Sequence, residues 1–333
     1  MTDLEAPPLS AASQTVVAGL RQLIENLSEG DKLPTVRALM RDFGVGQSIV
    51  QQAVESLEAE GLVRAEVGRG TFVRKPRPQT PGQWSVVILN HVRPGRRGEV
   101  IAARIHEQLL AAKHRSIIIT YSDLNHAADL VRSLPSMDAC VIRPQSDLLP
   151  AAILASIQSK CRAVVVEGTP MEHIDVDSVA TDWLLAIETA IRHLRSRAHQ
   201  RIGLVLGHRG SRYARDGARL FKSLMRVAGV EDAPVVYRTD DNTYDLASLK
   251  HCSAVIAWGS MVVGDLKNAG LKLPIVAMEN PDLQDEALAG CTIVGRPADR
   301  IAAAVIERIE HRIKHPDAPF APVYDKPKLV VAN

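Results

Sequence analysis

A chain of 333 residues that is 46% hydrophobic has material for two or three domains with sizeable cores, and a formal charge of +2 selects neither a polyanionic nor a polycationic partner. No apolar run approaches the ~20 residues of a membrane helix, and the acidic, small-residue N-terminus lacks the parts of a secretory signal. Cys140, Cys161, Cys252 and Cys291 are scattered without a Cys-x-x-Cys pair, so reduced, buried thiols in a cytoplasmic protein without a cofactor are expected.

Residues 1–12, with Pro7-Pro8, are expected to be a disordered tail. Val16, Leu20, Leu23, Ile24 and Leu27 then recur at i, i+4, i+7, i+8 and i+11, the apolar face of a first helix that Gly30 ends. Thr35 is placed to cap a short second helix with Leu39, Met40 and Phe43 inward, and Gly44 supplies the left-handed residue that helix ends favour. Val45-Gly46 turns into a third helix with Val50, Ala53, Val54 and Leu57 inward and Gln47, Ser48, Gln51 and Gln52 outward. Glu60-Gly61-Leu62-Val63 and Gly68-Arg69-Gly70-Thr71-Phe72-Val73 complete the pattern as a hairpin, so 13–75 are expected to form a winged helix-turn-helix.

An uncharged, hydrogen-bonding row at a helix N-terminus suits base edges in a major groove, where Gln can bond adenine twice. The other reading is a solvated polar face. The wing gathers Arg64, Arg69, Arg74, Lys75 and Arg77 around a single acid, Glu66, and its glycines allow close backbone approach to phosphates or the minor groove. Bulk charge adds nothing, since residues 14–80 carry nine Lys/Arg and eight Asp/Glu. The candidate duplex contacts are Thr35, Arg37, Gln47, Ser48, Gln51, Gln52, Arg69, Gly70 and Thr71.

Residues 76–84 are a linker stiffened by Pro76, Pro78 and Pro81. Beyond it, strand-like runs at 86–89, 117–120, 140–142, 164–166, 202–206, 235–237, 255–257 and 275–278 alternate with helical patterns near 97–113, 124–134, 148–159, 183–195, 212–228, 260–269 and 298–314. Continuous apolar strands between helices predict parallel sheets covered on both faces, and the length predicts two lobes. The fold class is α/β behind a helical head.

Pro34-Thr35-x-Arg37, Gly44-Val45 with Val50, Glu60-Gly61-Leu62-Val63 and Gly68-x-Gly70-Thr71-Phe72-Val73 stand at the spacing of the DNA-binding domain of GntR-family regulators, which residues 14–74 resemble. Gly46-Gln47 and Gln51 depart from it, standing where the family has Ser-Arg and Arg. Asp177-Ser178-Val179-x-x-Asp182, His193-Leu194, Arg201-Ile202-Gly203, Ala254-Val255-Ile256-Ala257, Leu273-Pro274-Ile275-Val276, Thr292-Ile293-Val294-x-Arg296-Pro297 and Leu329-Val330-Val331 follow in the order of LacI-family effector domains, which 85–331 resemble.

That second resemblance implies a two-lobed, periplasmic-binding-protein-like domain over 85–333. Lobe 1 would be about 85–180 and 296–319, and lobe 2 about 181–295 and 320–333. It also implies a homodimer on paired operator DNA and a small effector held at the carboxyl ends of the strands. The candidate effector contacts are His91, Arg96, Arg143, Glu167, Asp182, Arg215, Trp258 and Glu279. Glu167 and Glu279 fall where relatives use Asp to accept sugar hydroxyls. Gly217 falls where many carry a pocket Arg, with Arg215 as its candidate substitute, and Asp182 is followed by Trp183 instead of Asn.

Each candidate has a plainer reading. Arg143 would pair with Glu167, Trp258 would be packing, and His91 would be a surface loop residue. Arg93, Arg96 and Arg97, and His208, Arg209, Arg212 and Arg215, suit a carboxylate or phosphate, making a sugar acid or sugar phosphate the expected effector and a neutral sugar its competitor. These arginines could equally be solvated or bind DNA phosphates. Gly203, Gly207 and Gly210 lack Gly-x-Gly-x-x-Gly spacing, no phosphate-loop or nucleophile-elbow motif occurs, and His311 with His315 lacks a third metal ligand. The expectation is a non-enzymatic, ligand-responsive repressor without a membrane partner, whose alternative is a closed-cleft α/β metabolic enzyme carrying a DNA-binding head.

Overall fold

The computed structural model describes residues 11–28, 30–66, 69–74, 82–92, 96–144, 149–172, 174–207 and 212–332. They fall into two compact units, residues 1–83 and 84–333. Most of the expected tail and linker lies outside the described residues, but residues 11–12 of that tail are helical.

The first unit contains α1 (Ala11–Asn26), α2 (Val36–Phe43), α3 (Gln47–Ala59), β1 (Val63–Glu66) and β2 (Gly70–Val73). Thr35 caps α2 by accepting from the Ala38 amide at 3.3 Å, and Gly44 ends it at φ 65°. Leu20, Leu39, Val50, Ala53, Leu57, Val63 and Val73 form its buried centre. β1 and β2 are antiparallel, with Val63 opposite Val73. The Leu33 amide donates to the Thr71 carbonyl at 2.8 Å and the Val73 amide to the Asp31 carbonyl at 2.7 Å, fixing the inner edge of the wing.

In the second unit, β3 (Ser85–His91), α4 (Arg97–Ala111), β4 (Arg115–Tyr121), α5 (Leu124–Ser133), β5 (Met137–Arg143), α6 (Ala151–Gln158), β6 (Cys161–Glu167) and β7 (Asp177–Thr181) build the first lobe. The second lobe takes α7 (Trp183–Ser196), β8 (Ile202–Leu206), α8 (Arg212–Val227), β9 (Val235–Tyr237), β10 (Ala254–Trp258), α9 (Ser260–Asn268), β11 (Ile275–Met278) and β12 (Thr292–Gly295). The chain then returns through α10 (Ala298–Lys314) and β13 (Pro322–Asp325) to lobe 1, and ends with β14 (Lys328–Val330) in lobe 2.

The sheet orders are β13-β7-β6-β5-β3-β4 and β14-β12-β11-β10-β8-β9, parallel throughout except for β14. Val86, Val87, Ile88 and Leu89 of β3 have no exposed surface, because helices cover both sheet faces. Each such side chain contributes about 1.5–3 kcal/mol by leaving water. One expectation needs correcting: residues 320–325 do not belong to lobe 2. β13 pairs in register with β7, Val323 opposite Val179, so only β14 lies beyond the last crossing.

Three segments cross between the lobes, and one side chain joins them. Arg296, 1% exposed, pairs through Nε with Asp325 at 2.8 Å and reaches the Ala180 carbonyl at 3.4 Å. The Asp182 amide donates to the Asp325 carbonyl at 3.1 Å. Behind the first crossing, fully buried Asp177 accepts from Arg308 at 2.6 Å and from Arg312 at 2.7 Å, tying α10 to β7.

Candidate functional site

Parallel strands present their carboxyl ends on one side of a sheet, and here the two sheets turn those ends toward each other. β3 ends in Asn90-His91, β5 in Arg143, β6 in Glu167 and β10 in Trp258, while Glu279 follows β11. Between them lies a cavity of about 300 Å³ lined by His91, Arg97, Arg143, Glu167, Trp258 and Glu279 among others.

The cavity carries charge on both lobes, and the charge is matched. On lobe 1, Arg143 donates through Nε to Glu167, which is 4% exposed, and through Nη1 to Asn90 Oδ1 at 2.8 Å. Gly98, in the first turn of α4, sits against this group; a Cβ there would collide with Arg143 and Asn90. On lobe 2, Glu279 is 3% exposed and accepts from the Ser260 amide at 3.0 Å and the Asn280 amide at 2.7 Å. Arg97 donates to Glu279 as well. Arg296 faces Asp325; burial lowers its pKa, and the charges of Asp325 and Glu167 pull it back up. The arginines thus already face carboxylates.

Trp183 and Trp258 form the apolar wall, with ring centroids 5.5 Å apart. Gly217 makes room for this pair: a Cβ there would stand 2.8 Å from both Trp258 and Ile187. At the position where the LacI resemblance implies a pocket Arg, this chain has fitted an indole instead. Asn280 is 3% exposed and lines the cavity; its Oδ1 accepts from the Asp282 amide at 2.8 Å, while its buried Nδ2 has no partner among the described residues.

The structure therefore gathers His91, Arg143, Glu167, Trp258 and Glu279 on one cavity. His91 is buried, against the surface alternative, with its ring edge-on to Tyr121 at 5.2 Å. Arg143 does pair with Glu167. Arg96, Asp182 and Arg215 are not part of that lining. Arg96 is exposed and 3.7 Å from Glu99, and Arg215 is exposed on α8. Asp182 caps α7, accepting from the Leu185 amide at 2.9 Å. Arg93, His208 and Arg209 lie outside the described residues. The sequence offers Arg97 only within an arginine cluster suited to an anion, and it does not nominate Asn280 or Trp183. Only position after a strand could have pointed to Asn280.

On the head, Arg37, Gln47, Ser48 and Gln51 are exposed, Gln47 opening α3. Gln52 is exposed as well, and its Oε1 accepts from buried Ser13 of α1 at 3.0 Å. Thr35 is spent on the cap. Arg69 pairs with Glu66 at 2.6 Å and lies 5.8 Å from the Phe72 ring, and Arg64 shares the same carboxylate. Gly70, at φ 121°, passes under Lys32, and Thr71 is half-buried in the hairpin.

A helix-turn-helix with a wing, and a separate pair of parallel-sheet lobes closing on a polar cavity, define a DNA-binding head joined to a ligand-sensing fold. Comparison with known proteins makes both halves specific. Residues 12–73 match the family described as "Bacterial regulatory proteins, gntR family", and residues 191–332 match "Periplasmic binding protein-like domain".

The HTH-type transcriptional repressor NanR of Shigella sonnei is 27% identical over 209 residues, covering 60% of this chain and 75% of NanR. The HTH-type transcriptional regulator LutR of Bacillus subtilis is 43% identical over 49 residues, so the chain spans 22% of LutR's length. Among solved structures, a LacI family transcriptional regulator from Enterococcus faecium with bound ribose superposes with a TM-score of 0.60 at 17% identity, covering 74% of this chain and 98% of that one. A CelR–cellobiose complex does so at 0.60 and 15%, covering 90% and 99%. The chain carries a GntR-type helix-turn-helix domain followed by a periplasmic-binding-protein-like domain with the fold of LacI-family regulators. No helix among the described residues is long and apolar enough to cross a membrane.

Proposed function

We propose that the protein is a ligand-responsive, DNA-binding transcriptional repressor whose operator affinity changes when a small effector occupies the cleft between the lobes. The observation that carries this reading is the cavity at the facing strand ends, with carboxylates on both lobes, a two-indole wall and the unpartnered Asn280 amide. Hydroxyl groups satisfy such a lining, since buried carboxylates and amides need partners. Because Arg97, Arg143 and Arg296 already face carboxylates, a net-neutral, sugar-like effector fits better than a sugar acid or sugar phosphate, whose charge would meet Glu167 and Glu279. Solved relatives hold ribose and cellobiose, which points the same way.

Exposed Gln47, Ser48 and Gln51 of α3, with Arg37 and Arg69, are the proposed duplex contacts, and a homodimer would present two such heads to a two-fold operator. Leu110 on α4 and Ile117 on the free edge strand β4 are 50% and 48% exposed, and support self-association through lobe 1.

The test selects bound duplexes from a random library with full-length protein, then screens neutral sugars, sugar acids and sugar phosphates by thermal shift. A bound compound at 100 times its Kd stabilises the fold by about 2.7 kcal/mol. The expected hit is neutral, is weakened by Asn280→Ala, and changes affinity for the selected duplex. Failure to enrich any sequence, or turnover of the bound compound, would overturn the reading.

A further inference from the structure

We infer that Arg97 is a latch between the lobes: a cation carried by lobe 1 that holds the cleft closed by docking on a preformed carboxylate of lobe 2. The inference rests on the cleft being the effector site, and goes beyond it by assigning closure to a pair within the chain.

The two cleft ion pairs differ in where their members come from. Arg143 and Glu167 both belong to lobe 1, so opening the cleft leaves that pair intact. Arg97 opens α4 in lobe 1, while Glu279 follows β11 in lobe 2, so the lobes cannot separate without parting them. Arg97 makes two further contacts on lobe 2. Its Nη2 lies 3.4 Å from the Met278 carbonyl, and its guanidinium carbon is 4.9 Å from the centre of the Trp183 ring. A guanidinium over an indole face gains from the ring quadrupole, and the flat group is suited to stacking and pairing together.

Glu279 does not need Arg97 to keep its place. The Ser260 amide at the start of α9 and the Asn280 amide hold its two oxygens within lobe 2. A carboxylate at a helix N-terminus is also favoured by the helix dipole. The acceptor is thus built in advance, and the arginine arrives when the lobes meet. Arg97 is 28% exposed and Glu279 4%, so the buried member of the pair is the carboxylate, which keeps its two backbone amide donors when the arginine leaves. Gly98, next in sequence, abuts Arg143, which couples the latch to lobe 1's own pair.

The test uses full-length protein carrying nitroxides on exposed residues of α6 and α8, one per lobe, with distances measured by pulsed electron resonance and no compound added. Arg97→Met keeps the unbranched apolar stem of the side chain and removes the guanidinium, and Glu279 retains its backbone donors, so the variant should fold; its melting curve verifies this. The expected result is an interlobe distribution shifted to longer distance, the open population rising about tenfold or more, as for the loss of one charged hydrogen bond. Arg97→Lys should restore most of the closed population.

Identical distributions for wild type and Arg97→Met would overturn the latch, as would equal broadening by Met and Lys. Neither outcome touches the effector reading, which stands or falls on the thermal-shift screen. A cleft that latches normally but binds no screened compound would leave the latch in place and remove the effector.

Discussion

Removing the Arg143 guanidinium would strand Glu167, a carboxylate 4% exposed, without its cation. Breaking one side of a buried pair costs about 3–5 kcal/mol, whereas replacing both sides by apolar groups of similar volume is often close to neutral. Arg143→Met is therefore expected to lower stability by about that amount in a denaturant titration, and Arg143→Met combined with Glu167→Leu to recover most of it. A double variant as unstable as the single one would show that the pair is not what Arg143 contributes. For the same reason Arg143 is a poor probe of effector binding, because losing it disturbs the fold. Asn280 is better, since its Nδ2 has no other partner to lose.

Elements differ in how far their sequence announces them. β3, β5, β6 and β10 are buried on both faces and appear as unbroken apolar runs that no surface strand shows. β13 begins with a proline, β14 is exposed at every position, and both are edge strands of a few residues; nothing local assigns them to one lobe or the other. Asp182 was legible as a cap, since Asp before Trp183-Leu184-Leu185 is a helix-start pattern, but the LacI resemblance drew it toward the pocket.

The Arg97–Glu279 pair joins residues 182 apart in the chain, and no periodicity carries that information. On the head, α3 offers glutamines where related helices carry arginine. Gln47→Arg, at an exposed position opening the helix, should steepen the dependence of log affinity on log salt by about 0.9 if it gains a phosphate. An unchanged slope in a fluorescence anisotropy series would place that residue away from the backbone.

At the scale of the whole second unit, three chain segments must bend together if one lobe is to rotate on the other. Arg296 and Asp325 bind all three. Asp325→Asn keeps the shape of the side chain but leaves a guanidinium 1% exposed without its counter-charge, at a cost of about 3–5 kcal/mol. Amide exchange should then rise together around residues 180–182, 295–297 and 325–328, with exchange in 11–66 unchanged. Faster exchange confined to 325–328 would show that the crossings move independently.

The path of the chain has a consequence for synthesis. β8 to β12 and their helices leave the ribosome before α10, which covers one face of the lobe 1 sheet, and before β13, its edge. The lobe whose strands come first thus waits for its last helix and its edge strand until all of the other but β14 has been made. Val86, Ile88, Ala139, Val141 and Val165 await Ile301, Val305 and Ile309 across almost the entire translation of lobe 2. A nascent chain stalled after Gly295 would hold a nearly complete lobe 2 beside a lobe 1 sheet whose α10 face α4 covers alone, a natural substrate for a chaperone that binds exposed aliphatic surface.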